Sequence, residues 1–183
     1  FGIERVYTLF RASINTKKFM NDVRTALHEE GNDKAVEVCS NTRGPVAEIF
    51  HAGLSRAHRG LEAVEKGIEN AGTIEMAFLE KNMVWLSTVV TLAPMLGFTG
   101  TVAGMIQAFD DIKAANDISP AVVAGGISIA LLTTLFGLVV AIIIQTFQNF
   151  LISRVDKLIV DMEENSVMLM DELIEIDLAS KKE

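Results

Sequence analysis

The sequence predicts an all-α integral membrane protein in which long membrane-crossing helices run on into charged helices outside the bilayer. Three observations carry that expectation. The 183 residues hold 16 Lys and Arg against 24 Asp and Glu, yet residues 82–153 contain only Asp110, Asp111, Lys113 and Asp117 as charged side chains. Within that stretch, Asn82–Phe109 gives 28 uncharged residues in a row and Ile118–Ser153 gives 36. Each run exceeds the roughly 20 residues that a helix rising about 1.5 Å per residue needs to cross a bilayer core. Elsewhere the apolar residues recur at helical rather than alternating spacing.

Composition also excludes whole classes of function. The net charge of −8 argues against a general nucleic-acid binder. The single cysteine, Cys39, leaves no internal disulfide and no thiolate cluster for zinc. No phosphate-binding loop, nucleophile triad or metal motif is present, so neither enzymatic chemistry nor a cofactor is expected.

The organisation follows in chain order. Residues 1–81 read as a helical region outside the membrane, with 11 Lys and Arg and 12 Asp and Glu. Phe1, Gly2 and Ile3 followed by Glu4 and Arg5 look like the last turn of an apolar segment that has just met water, so a preceding span is expected and nothing at the start has the order of a signal peptide. Val6, Leu9, Phe10 and Ile14 mark one face of a first helix that continues toward Phe19, Val23 and Leu27 and stops at Gly31 and Asn32. A short helix over Asp33–Ser40 buries Val36 and Cys39. Pro45 then opens another helix, where its missing N–H is unpaired in any case. From Gly60 a stripe of Leu61, Val64, Ile68, Ile74, Phe78 and Leu79 runs without a proline toward the first span, and one continuous rod is expected.

The first membrane helix is placed at residues 82–109, a connector at 110–118, and the second membrane helix at 119–153, with Ser119 as cap and Pro120 in the first turn. Residues 154–183 continue the helical period through Val155, Leu158, Ile159, Met162, Leu169, Leu173 and Ile176. A helix from Ser119 to Leu178 would be about 90 Å long. Basic residues number 11 before the first span, one in the connector and four in the tail, which places both ends in the cytoplasm and the connector on the opposite side. Trp85 fits an interface anchor. His28, His51 and His58 lie in the charged region, where structural roles outweigh metal binding. The acidic tail, with Asp161, Glu163, Glu164, Asp171, Glu172, Glu175 and Asp177, reads either as a solvated face or as a near-heptad packing surface for a neighbouring subunit.

Both spans carry a stripe of small residues. In the first, Gly97, Gly100 and Gly104 share a face that lets another helix approach closely, and Pro94 frees one backbone carbonyl, with a kink expected there. In the second, Gly126, Ala130, Thr134, Gly137 and Ala141 recur at intervals of three and four, followed by Gln145 and Gln148. Thr101 and Thr134 stand on these glycine-lined faces. Each either bonds its own helix, as an isolated intramembrane threonine does, or joins a narrow wet surface between helices. Neither run holds an ionisable group, so a proton crossing here needs a carboxylate from a partner.

The segments Ala93-Pro94-Met95-Leu96-Gly97-Phe98-Thr99-Gly100-Thr101-Val102-Ala103-Gly104-Met105-Ile106 and Gly126-Ile127-Ser128-Ile129-Ala130-Leu131-Leu132-Thr133-Thr134-Leu135-Phe136-Gly137-Leu138 resemble the ExbB, TolQ and MotA proton-channel proteins, most closely ExbB. Glu4-Arg5 with Leu9, Arg11 and Ala12 is similar to the segment after that family's first membrane helix. The resemblance implies a homopentamer in the bacterial inner membrane with a cytoplasmic helical bundle. It further implies H⁺ as the transported ion, an ExbD-type single-span partner supplying a titrating aspartate, and a TonB-type protein that the motor drives. By the same resemblance Thr101 and Thr134 face the partner's aspartate. Many ExbB and TolQ members carry a glutamate just before the Ala-Leu-Leu of the third helix, where this sequence has Ile129. The other readings are a TolQ- or MotA-like motor subunit, a non-conducting membrane scaffold and a soluble helical bundle.

Overall fold

The computed structural model describes residues 2–12, 15–115 and 120–180, and their regular structure is helical throughout. Phe1, Ile14, Asp117 and Ser119, each used above, lie outside the described residues, as does the side chain of Phe10. The chain divides into two compact units, one of Phe1–Lys81 with Ile152–Glu183 and one of Asn82–Leu151.

The first unit contains α1 (Gly2–Ala12), α2 (Thr16–Glu29), α3 (Asn32–Asn41), α4 (Pro45–Leu54), a single 3-10 turn (Ala57–Arg59), α5 (Leu61–Glu80) and the end of α7 (Pro120–Ser180). The expected first helix from Val6 to Leu27 is two helices. The Asn15 side chain accepts the Lys18 N–H at 3.2 Å and so starts α2 afresh, which hydrophobic spacing alone does not register. In α3 the buried residues are Ala35 and Cys39, and Val36 is only half-buried. Burial pushes the Cys39 thiol up to about 12, which leaves it inert as a nucleophile. Pro45 opens α4 as its fixed φ favours. Gly60, at φ 97°, turns the chain into α5 in a left-handed conformation that a side chain would strain.

The core of this unit is made of large apolar side chains. Phe50, Ile49, Leu54, Val23, Val64 and Leu169 are fully buried, and the Phe19 and Phe50 rings meet at 5.5 Å between centroids. From α7, Val155, Leu158, Met162, Leu169 and Leu173 are buried, while Glu163, Glu164, Asp171 and Glu175 stay exposed. The tail's apolar stripe is thus occupied within its own chain. Glu172 ties it to α2, bonding Arg24 at 2.8 Å and His28 at 3.1 Å.

Two departures from the sequence expectation meet near Lys81. The stripe of α5 does not continue into the first span as one rod: α5 ends at Glu80, α6 begins at Met83, and Asn82 adopts φ 67°. Asparagine tolerates that left-handed turn better than other side chains. Arg5, expected where the chain meets water, is only 2% exposed, and its guanidinium donates to the carbonyls of Phe78 at 2.8 Å and Leu79 at 2.7 Å. Those carbonyls belong to the last turn of α5, where the Lys81 N–H reaches the Phe78 carbonyl only at 3.4 Å, and Arg5 of α1 adds the shorter bonds to the cap.

The second unit is built from α6 (Met83–Ala115) and the first part of α7. Both helices are long and apolar enough to cross a membrane. The helix α6 runs through Asp110, Asp111 and Lys113 to Ala115, so residues 110–115 of the expected connector are helical. Gln107 donates to Asp111 one turn on at 3.1 Å, and Lys113 lies in the last turn, where a cation complements the helix dipole. Pro94 lies in the interior of α6, which is helical on both sides of it.

Candidate functional site

The two spans meet along their small-residue faces as an antiparallel pair in constant register. A Cβ placed on Gly137 would lie 2.6 Å from the Ala93 carbonyl oxygen and 3.0 Å from the Gly97 Cα, and one on Gly97 would lie 3.1 Å from the Thr133 carbonyl oxygen and the Thr134 Cα. No side chain fits in either place without separating the helices, so the glycines set the approach distance. Gly104 faces Ala130, Gly126 faces Ala108, and Gly100 receives the Thr133 side chain. Ala130 and Ala141 are buried. Gly97 and Gly104 thus meet the stripe of the second span at Thr134, Gly137 and Ala130, while Gly126 meets Ala108 and Gly100 meets Thr133, two residues that spacing had not picked out. Ile129, by contrast, is 62% exposed and points out of the seam.

Thr101 and Thr134 come together at the middle of this seam. Their hydroxyls are hydrogen-bonded to one another, either one serving as donor. The Thr101 hydroxyl also lies 3.1 Å from the Ala130 carbonyl across the seam and 3.4 Å from the Gly97 carbonyl of its own helix. That of Thr134 lies 3.1 Å from the same Gly97 carbonyl. Other threonines of the spans behave differently: Thr88, Thr91, Thr99 and Thr146 each donate to the carbonyl four residues back on their own helix. The seam pair bridges helices because glycine and alanine bring the opposite backbone within reach of a short side chain.

The pair has two proton settings. Each hydroxyl carries one proton, so when Thr101 donates to Thr134, the Thr134 proton is left for the Gly97 carbonyl. When Thr134 donates to Thr101, the Thr101 proton is left for the Ala130 carbonyl. Rotation of two O–H bonds interconverts them without moving a heavy atom. Both threonines are half-buried, and no ionisable side chain occurs in either uncharged run around them.

A second polar contact between the helices escaped the sequence reading. Gln148, only 7% exposed, donates from Nε2 to the Ser87 hydroxyl oxygen at 3.1 Å. The signal was present in the register: fourteen residues back from Thr101 is Ser87, and fourteen on from Thr134 is Gln148. Without knowing that the threonines pair, that symmetry has no anchor. Among the histidines, His28 contacts Glu172 and His58 accepts from Arg59.

A model of the MotA/TolQ/ExbB proton channel family matches residues 41–164, which include both spans and all four of these polar residues. The chain belongs to this family. Relatives include a protein described as a biopolymer transport protein ExbB homolog from Methanothermobacter thermautotrophicus, 30% identical over 156 residues, covering 85% of this chain and 55% of the relative. An ExbB-like 3 biopolymer transport protein of Synechocystis is 28% identical over 149 residues, 80% of this chain and 71% of the relative. The Tol-Pal system protein TolQ of Haemophilus influenzae is 35% identical over 141 residues, 69% of this chain and 62% of the relative. The chain spans little more than half the length of the first of these. The chain is thus a helical member of the MotA/TolQ/ExbB family with two helices long and apolar enough to cross a membrane.

Proposed function

We propose that the chain is the proton-channel stator subunit of an ExbB–ExbD type motor, which draws on the proton motive force to energise TonB-dependent outer-membrane transport. Five copies surround a single-span ExbD-type partner in the bacterial inner membrane, with the basic flanks and helical bundle in the cytoplasm. The partner's membrane aspartate carries H⁺, and the motor acts on a TonB-type protein. The observation that carries the reading is the Thr101–Thr134 pair. It is a hydroxyl relay with two settings, held between two spans that contain no acid of their own. Such a relay passes a proton on and cannot itself hold a charge near neutral pH, which is the complement of a partner carboxylate.

The decisive experiment measures proton flux in proteoliposomes containing the complex with its partner, for wild type, Thr101→Val, Thr134→Val and Thr134→Ser. Either valine variant should lower flux at least about tenfold per assembled complex, and serine should retain it. Wild-type flux from both valine variants would remove the relay, and a wild-type complex that conducts nothing would leave a non-conducting scaffold. The similarity to TolQ supports a second branch, in which the same relay drives a Tol-type envelope complex. Identification of the partner that co-purifies from the native membrane separates the two.

A further inference from the structure

Resting on the proton-channel reading, we infer that Ser87 is a second proton-relay group on the same helix pair, held in position by Gln148, at the opposite end of the spans from Asp110. Three features of the second unit carry this. First, a glutamine that is 7% exposed inside an apolar helix is expensive to bury, and its amide is spent on one target, the Ser87 hydroxyl oxygen at 3.1 Å. Second, because Gln148 donates, Ser87 is fixed as acceptor in that bond, and its own proton points elsewhere. Thr88 and Thr91 beside it have theirs committed to the carbonyls of Val84 and Ser87. Third, the groove next to Ser87 has a volume of about 610 Å³ and is lined by Met83, Val84, Thr88, Thr91 and Leu92 as well as the pair itself. Against a share of roughly 30 Å³ per molecule in the liquid, that open groove has room for several waters, and the hydroxyl-bearing residues Ser87, Thr88 and Thr91 are among its lining.

The step balances without a further reactant. A protonated water cluster in the groove donates to the free lone pair of the Ser87 oxygen as the original hydroxyl proton passes to the next water, and Ser87 ends neutral with one proton, as it began. The direction of travel is set by the gradient. Gln148 takes no proton and acts by holding one lone pair, so that the other lone pair and the O–H remain for other partners. The distance from Thr134 to Gln148 along α7 is about 21 Å at about 1.5 Å per residue. Between them the seam is closed at Gly137 and Ala141, so Ser87 serves the groove at its own end of the helix pair.

The rival explanation is that the contact only holds the helices together, as interhelical hydrogen bonds in membranes do. The two are separated by measuring flux, melting temperature and retained partner on the same size-purified complexes, for Ser87→Ala, Ser87→Thr, Gln148→Met and Thr134→Val. The expected result is that Ser87→Ala and Gln148→Met each lower flux at least about fivefold per assembled complex with unchanged melting temperature, and that Ser87→Thr restores it. Wild-type flux from Ser87→Ala alongside a silent Thr134→Val complex overturns this inference while leaving the threonine relay intact. Flux that falls only in step with melting temperature or retained partner also overturns it, in favour of helix attachment. A wild-type complex that conducts nothing overturns the channel reading on which both rest.

Discussion

In the unit of Phe1–Lys81 and Ile152–Glu183 the fully buried side chains are large, with Phe50, Ile49, Leu54 and Leu169 at or below 1% exposure, whereas in Asn82–Leu151 the buried positions are mainly Gly97, Ala108, Ala130 and Ala141 while Leu96, Phe98, Phe136 and Ile142 face outward. The inversion reports the solvent. In water, burying apolar area is worth about 25 cal/mol per Å², so the bulky residues go inside. Between lipid chains that driving force vanishes, and helices associate through close backbone approach and interhelical hydrogen bonds, which small residues and threonine provide.

Four experiments break or sharpen that contrast, from the largest effect to the smallest. Gly137→Leu should abolish the helix pair, because even its Cβ would lie 2.6 Å from the Ala93 carbonyl; recovery of assembled complex from detergent should fall to background, and normal recovery would mean that the spans do not meet there. Phe50→Ala should destabilise the first unit by about 3–5 kcal/mol, read as a lowered unfolding midpoint in denaturant, whereas Phe136→Ala should change it by less than about 0.5 kcal/mol. A loss at Phe136 as large as that at Phe50 would show a protein surface, not lipid, over that face.

Arg5→Ala should lower stability by about 1–3 kcal/mol, since it removes the guanidinium bonds to the carbonyls of Phe78 and Leu79. Hydrogen exchange should rise at the end of α5 and stay unchanged in α4, and uniform protection would refute the cap. The smallest effect concerns Glu75, whose carboxyl is held above the usual range by partial burial and secondarily by Glu48. A raised carboxyl pKa destabilises the folded state once the group is ionised. Glu75→Gln should therefore give a slightly higher melting temperature at pH 7, and the gain should disappear below about pH 4, where the acid is protonated in both states. A gain that persists at that pH would assign the effect to something other than charge.

Much of this architecture could be read from spacing. Of the tail's stripe, Val155, Leu158, Met162, Leu169 and Leu173 are buried and Ile159 and Ile176 half-buried, and Pro45 starts the helix it was expected to start. What spacing missed were features that depend on a single side chain meeting distant backbone: the Asn15 cap that splits α1 from α2, the Arg5 cap on α5 and the turn at Asn82. At the candidate site the threonines and the small residues were legible because hydroxyls and glycines stand out in an apolar run. Gln148 was noted only as the helix left the apolar stretch, and Ser87 not at all, because their pairing follows from the antiparallel register.

The order of residues alone determined that two segments would be helical and long enough to cross a bilayer, that these segments would hold no acid, and that each would carry one narrow face of small residues. These are local properties, fixed by charge, length and the helical repeat. Only the tertiary structure decided that the two narrow faces close on each other, that Thr101 and Thr134 share a hydrogen bond, and that Gln148 finds Ser87. Helical spacing says which residues share a face but not which face lies opposite, and that choice is made by how closely two backbones can approach.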